Sequence, residues 1–194
     1  RGEAFDYLLG ERTTKYAYDA EKAAVCLLLL SNRSIISING NTAALCARDL
    51  VILSNHTKSG IEVNLFHKST ARSNAIAKIL RKEDATEVLG LDTKLKSIIN
   101  DISSNRRYVD KNGIMKSDTI FVALEDGDRT ESLVKMGKQV ISVDLNPLSR
   151  TAMASDVTIV DNIVRAIPNM IKISEQLVKR DKSYLLQQIK NFDN

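Results

Sequence analysis

Six short runs of this chain are rich in aliphatic and β-branched residues and do not alternate apolar with polar. They are Ser34 to Ile38 (SIISI), Ile61 to Leu65 (IEVNL), Thr86 to Leu89, Thr119 to Leu124 (TIFVAL), Gln139 to Val143 (QVISV) and Val157 to Val160 (VTIV), the third being the weakest. Strands of that kind are buried on both faces, so helices must lie above and below them. Helical patterns do separate the runs, over Lys15 to Ser31, Thr42 to Ser54, Thr70 to Glu83, Arg129 to Met136 and Asn162 to Lys179. The alternation predicts βαβ units and an α/β fold, a doubly wound, mostly parallel Rossmann-like sheet flanked by helices. Such sheets bind ligands outside the carboxyl ends of their strands, so the loops leaving strands hold the candidate site.

A chain of 194 residues, 43% hydrophobic and 27% charged, can bury a core of this size as one α/β domain over 1–194. It opens on Arg1 rather than Met, as expected of a stretch inside a longer product. The net charge of +4 is dispersed, with acids interleaved. Without a concentrated basic stripe a nucleic-acid partner is not expected, and the excess reads either as a bias toward small anions or as a solvated surface. The longest apolar run, Ala23 to Leu30, is far too short to span a bilayer, so no membrane role is expected. Cys26 and Cys46 lack metal-type spacing and read as buried thiols, in keeping with a cytoplasmic location. Asp92 to Gly113 is the least regular stretch and reads as a helix plus a mobile connection.

Five loops carry possible chemistry. After QVISV comes Asp144-Leu145-Asn146-Pro147-Leu148-Ser149-Arg150-Thr151. An acid at a strand end can accept from ribose hydroxyls, Ser149 can cap a helix and Arg150 can fork onto a phosphate; a capped turn with one exposed arginine fits equally. After TIFVAL, Glu125, Asp126 and Asp128 crowd one loop and need a positive neighbour or a magnesium ion. Gly127 supplies backbone freedom there, and Asp128 or Thr130 can cap the next helix. Asn39, Gly40 and Asn41 join a strand to a helix whose first amides suit a phosphate or carboxylate, although one glycine also makes a plain turn. His67, just past Asn64, can bind an anion or move a proton, or simply hydrogen-bond. Asp161 or Asn162 caps the long helix that follows VTIV. A GxGxxG turn after the first strand is missing, which argues against a nicotinamide-dependent oxidoreductase.

Taken together, RGEAFDYLLGE (Arg1 to Glu11), SINGNTAAL (Ser37 to Leu45), IEVNLF (Ile61 to Phe66), LEDGDRTESLVKMGK (Leu124 to Lys138), VDLNPLSRTA (Val143 to Ala152) and DVTIVDNIVRAIPNM (Asp156 to Met170) resemble the archaeal phosphopantothenate synthetase family, the 4-phosphopantoate–β-alanine ligases. The resemblance covers more than half the chain in order. It implies a homodimer with a Rossmann-like core and a family that carries further helices ahead of Arg1. It implies ATP and Mg2+, with 4-phosphopantoate and β-alanine as the other reactants, and AMP, diphosphate and 4′-phosphopantothenate as products. Carried over by motif, Arg1, Asp144, Leu145, Asn146, Arg150, Thr151, Asn162 and Ile163 would contact ATP. Asn39, Gly40, Asn41, Asn64 and Arg129 are expected at the substrates, and Asp126, Asp128 and His67 are the catalytic candidates. A nucleotide-binding regulatory module without turnover is the competing expectation, because a fold does not fix a function.

Overall fold

The computed structural model describes residues 2–92 and 94–194. Its main sheet has five parallel strands, β1 (Ser34–Ile38), β2 (Gly60–Val63), β5 (Thr119–Ala123), β6 (Gln139–Val143) and β7 (Val157–Ile159), in the order β2-β1-β5-β6-β7. A separate antiparallel pair, β3 (Lys96–Ile98) and β4 (Tyr108–Asp110), lies in the excursion between β2 and β5.

Alternate residues of each strand supply two cores, as the two-faced burial requires. Ile36, Ile38, Phe121, Ala123, Ile141, Val143 and Ile159 face one layer built by α2 (Lys15–Leu30), α3 (Gly40–Thr57), α4 (Thr70–Lys82) and α7 (Ile163–Leu177). Ile35, Ile120, Val122 and Val140 face the other, where Leu133 of α5 (Gly127–Lys135) and Val109 and Ile114 from the β3–β4 region pack. Three further helices are α1 (Gly2–Leu8), α6 (Arg150–Ala154) and α8 (Lys182–Lys190). The caps are local and visible in sequence: Thr14 accepts from the Ala17 amide, Ser69 from Arg72 and Asp181 from Tyr184.

Two expectations are corrected. Thr86 to Leu89 is not a strand. Leu89 alone pairs, bridging Glu62, and Gly90 turns away at φ +83°. Asp92 to Gly113 is not a helix with a connection but the β3–β4 pair, with a single 3-10 turn over Asn105–Arg107 leading into β4. Its anchor is the buried carboxylate of Glu62, which no local pattern announces. The helix α8 was not anticipated, being short and polar on one side, whereas α6 follows the cap expected at Ser149.

The strand order reverses direction between β1 and β5, since the chain winds outward to β2 on one side and to β6 and β7 on the other. The loops leaving β1 and β5 therefore diverge and open a crevice at the carboxyl edge.

Candidate functional site

One side chain spans that crevice. Asn39 caps α3, its Oδ1 accepting from the amides of Asn41 and Thr42, both at 3.0 Å, while Thr42 Oγ1 accepts from the Asn39 amide at 2.9 Å. Its Nδ2 donates across to the carbonyls of Ala123 at 2.8 Å and Leu124 at 3.2 Å. Leu124 sits at φ +53°, a left-handed conformation that costs a branched side chain free energy and persists only where neighbours impose it.

Beside the crevice lies a cavity of about 420 Å³, lined by Glu3, Asn41, Ala44, Leu45, Leu124, Val143, Leu145, Asp161, Asn162 and Ile163. The turns after β1, β5, β6 and β7 all reach it, and its size suits a small ligand. Of the positions expected at a nucleotide, Leu145, Asn162 and Ile163 line it together with Asn41. Glu3, Leu45 and Leu124 were not anticipated. Leu45 is exposed just before a break in α3 at Cys46 (φ −151°, ψ 35°), a feature that no sequence pattern announces.

Asp144, Asn146, Arg150 and Thr151, expected at the nucleotide as well, do not line the cavity. The Asp144 carboxylate accepts from the Asn146 amide at 2.9 Å and from Ser149 Oγ at 2.5 Å, and Asn146 Oδ1 accepts from the Leu148 amide at 3.0 Å. Ser149 caps α6, as expected. Thr151 is buried and donates to the Glu125 carbonyl at 3.1 Å. Arg150 is exposed and forks onto Glu131 of α5 at 2.9 and 3.0 Å, outside the cavity. Gly127 sits here for closeness rather than for a special φ: a Cβ on it would lie 2.4 Å from Arg150 Cβ. Arg1 lies outside the described residues.

The acidic loop after β5 finds positive neighbours. Glu125 pairs with both Arg106 and Arg129, and Arg106 Nε lies 2.9 Å from Asp126 Oδ2. Arg129 is fully buried and also donates to Ser37 Oγ at 3.2 Å. Burial pulls the Arg106 guanidinium below its usual range, partly offset by Glu125, and burial likewise lifts Asp126. Asn64 does not face solvent. Its Nδ2 donates to the carbonyls of Arg106 at 3.3 Å and Tyr108 at 3.0 Å, fastening the arginine-bearing turn to the sheet edge. Arg106 was missed by sequence reasoning, because Asp101 and Asp110 lie nearer to it along the chain than the acids after β5 do.

His67 is exposed, stacks edge-on against Phe66, and its carbonyl accepts from Arg72 Nη1 at 3.0 Å. The Arg72 guanidinium reaches to 3.6 Å of where a Gly40 Cβ would stand, so it lies against the start of α3. Asp128 is half-buried in the first turn of α5. Among the described residues no group of three or more His, Cys, Asp or Glu side chains is placed to hold a metal ion, and no helix is long and apolar enough to cross a membrane. Both cysteines are buried, which pushes their thiols up to about 11 for Cys26 and about 12 for Cys46. A larger groove, of about 820 Å³, runs between α1, α2, α6 and α8, with mostly apolar walls that include Phe5, Tyr16, Met153 and Phe192.

The profile of the phosphopantothenate/pantothenate synthetase family matches residues 16–194. A 4-phosphopantoate–β-alanine ligase of Methanosarcina mazei is 47% identical over 194 residues, all of this chain and 76% of the relative. Ligases of the same name from Thermococcus onnurineus and Thermococcus kodakarensis are each 47% identical over 195 residues, covering all of this chain and 74% of theirs. Identity at that level, sustained from the first strand to the last helix, leaves one conclusion about descent: this chain belongs to the phosphopantothenate/pantothenate synthetase family.

Proposed function

We propose that this chain joins 4-phosphopantoate and β-alanine into 4′-phosphopantothenate in coenzyme A biosynthesis, using ATP and releasing AMP and diphosphate. The reading rests on full-length similarity to ligases of that name and on one observation in the fold: the turns after β6 and β7 bring Leu145, Asn162 and Ile163 to a single cavity at the carboxyl edge.

A carboxylate is a poor acyl donor and must first acquire a leaving group. In the proposed first step an oxygen of the phosphopantoate carboxylate attacks the α-phosphorus of ATP. The bond to the β-phosphate breaks, and diphosphate departs with its electron pair. The β-alanine nitrogen, as free amine, then attacks the acyl carbon. AMP leaves with the bonding pair, and the amine's surplus proton is released.

Such chemistry needs alignment and charge compensation more than covalent help from side chains. Leu145, Asn162 and Ile163 would seat the nucleotide beside the turn that Asp144 and Asn146 hold rigid. Arg150 reaches a phosphate only by releasing Glu131, and Thr151 ties the start of α6 to the Glu125 carbonyl. Asn39, Gly40 and Asn41 line the switch point where the two anions must meet. Asn64 and Arg129 act one layer back, through Arg106 and Glu125. Asp126, Asp128 and His67 stand as candidates to take the amine's proton; of these, Asp126 has its carboxyl raised by burial, which favours proton capture.

Magnesium would arrive with the ATP phosphates and supply charge neutralisation there. The obvious protein carboxylates do not form a cage for it, since Glu125 and Asp126 are already matched by Arg106 and Arg129. We place the enzyme in the cytoplasm as a homodimer, following the family.

Product analysis tests the scheme. AMP must form only when ATP, 4-phosphopantoate and β-alanine are all present, and carboxylate oxygen labelled with 18O must appear in AMP. Release of ADP with labelled phosphate would replace the adenylate by an acyl phosphate, and absence of substrate-dependent turnover would leave a nucleotide-binding module.

A further inference from the structure

α1 presents Tyr7 and Leu8 to solvent and buries Asp6 against the fold. It also forms one wall of the cavity. Glu3 lines it, and Gly2 lies so close to the β6–α6 turn that a Cβ there would come within 2.5 Å of Leu145 Cβ and 3.1 Å of the Asn146 nitrogen.

The tie is Arg165, in the first turn of α7. Its guanidinium donates to Asp161 Oδ1 from Nε at 2.8 Å and from Nη2 at 2.5 Å, and the same Nη2 donates to Asp6 Oδ1 of α1. Asp6 and Asp161 are both buried, whereas Arg165 does not line the cavity. Asp161 is held from its other oxygen as well, by Thr13 Oγ1 at 2.5 Å, and its Oδ1 also accepts from the Asn162 amide at 2.7 Å. Thr13 in turn accepts from Asn169 Nδ2 at 3.2 Å. One guanidinium thus joins the helix that walls the cavity to the turn that presents Asn162 and Ile163.

We propose that Arg165 is a positioning residue for the nucleotide: by bridging Asp6 and Asp161 it sets the distance between α1 and the β7–α7 turn, and so the width of the cavity that receives ATP. The inference rests on the ATP reading above and deepens it. A planar fork is suited to this, because it fixes two carboxylates in one geometry where an ammonium would satisfy them as a point charge. The effect should be confined to ATP, since neither Asn39 nor the Arg106–Glu125–Arg129 cluster touches the bridge.

The test combines direct ATP binding by calorimetry, without the other substrates, with steady-state kinetics and melting temperature. Asp6→Ala is the main variant, because it cuts the bridge at α1 and leaves Asp161 paired. The expected result is ATP affinity weakened about five- to tenfold, with the KM values for phosphopantoate and β-alanine within about twofold of the parent. Arg165→Met should weaken ATP binding at least as much, and Arg165→Lys should recover part of the loss. Asp6→Ala combined with Arg165→Met should be no worse for ATP than Arg165→Met alone. ATP affinity unchanged in both single variants overturns the proposal, as does a uniform rise in all three KM values that tracks a fall in melting temperature. A parent protein that binds ATP but forms no AMP refutes the ligase reading while the binding comparison still decides the bridge. A parent that binds no ATP refutes both.

Discussion

The Glu62 carboxylate accepts from the Asp110 amide at 2.9 Å through one oxygen and from the Ile114 amide at 2.7 Å through the other, inside the protein and on a central-sheet strand. A side chain of β2 thereby fastens the far end of the β3–β4 excursion, as Asn64 fastens the turn before β4. Asp110 extends the anchor by accepting from the Gly90 amide at 3.1 Å. A Gly113 Cβ would collide with Glu62 Oε2 at 2.0 Å, so the approach is closed to any larger residue.

Glu62→Gln keeps the shape but turns one acceptor into a donor facing an amide. A buried amide left without a partner costs about 1–3 kcal/mol. Denaturant unfolding should show a loss of that order, and hydrogen exchange should quicken at Asp110 and Ile114 before it does in β5 and β6.

Glu21 gives a pH signature. Burial drives its carboxyl up to about 8, against the hydrogen bond from Asn169 that favours the charged form. The unfolded chain releases this proton near pH 4.5, the folded chain only near 8. Folding therefore loses stability from this group as pH rises across that window, and no more above it. Glu21→Gln, which still accepts from Asn169, should remove the loss. The variant should match the parent near pH 4.5 and exceed it by a few kcal/mol at pH 8, about 1.4 kcal/mol per pH unit at most. Parallel melting profiles for the two proteins would refute this.

Arg129→Met leaves Glu125 buried with only Arg106, and Ser37 without its donor. Removing one partner of a buried pair costs about 3–5 kcal/mol. Arg106→Met should cost less, because Asp126 is about a third exposed and can be rehydrated. Chemical denaturation of the two variants checks the order.

Asn162 has two roles that substitutions separate. It caps α7 by accepting from the Val164 amide at 3.2 Å, and it lines the cavity. Asn162→Ala should lose about 1 kcal/mol of stability along with ATP affinity. Asn162→Asp should keep the cap and the melting temperature, yet raise the KM for ATP about tenfold by placing a carboxylate near a polyanion. Equal ATP affinity for the parent and the Asp variant would remove Asn162 from the nucleotide site.

Gly127→Ala tests the contact between α5 and α6. The added methyl meets Arg150 Cβ at 2.4 Å, and overpacking of this kind costs about 1–3 kcal/mol. Because Arg150 begins the helix after the Asp144 turn, the KM for ATP should rise together with the loss in melting temperature.

Strands β1, β5, β6 and β7 were legible because burial on both faces writes continuous apolar runs into the sequence, and β1 and β6 were placed to the residue. Caps at Ser149 and Asn162 were legible because capping is a contact within three residues. The Asp144 turn was found by position, but its carboxylate is occupied by Ser149 and Asn146, a local exchange that spacing does not distinguish from a ribose contact. What stayed hidden was non-local. Strands β3 and β4 are three residues each, too short to show a period, and depend on Glu62. The partners of Glu125 and Asp126 include Arg106, some twenty residues upstream, which only the folded excursion delivers.

Surface loops usually tolerate shortening, but the segment between β2 and β5 carries Arg106, a counter-charge for the acids that follow β5. Trimming it would leave Asp126 without its cation and Glu125 with Arg129 alone. Engineering or evolution can therefore shorten that excursion only in step with a neutral residue at 126, and the two segments should drift together or not at all.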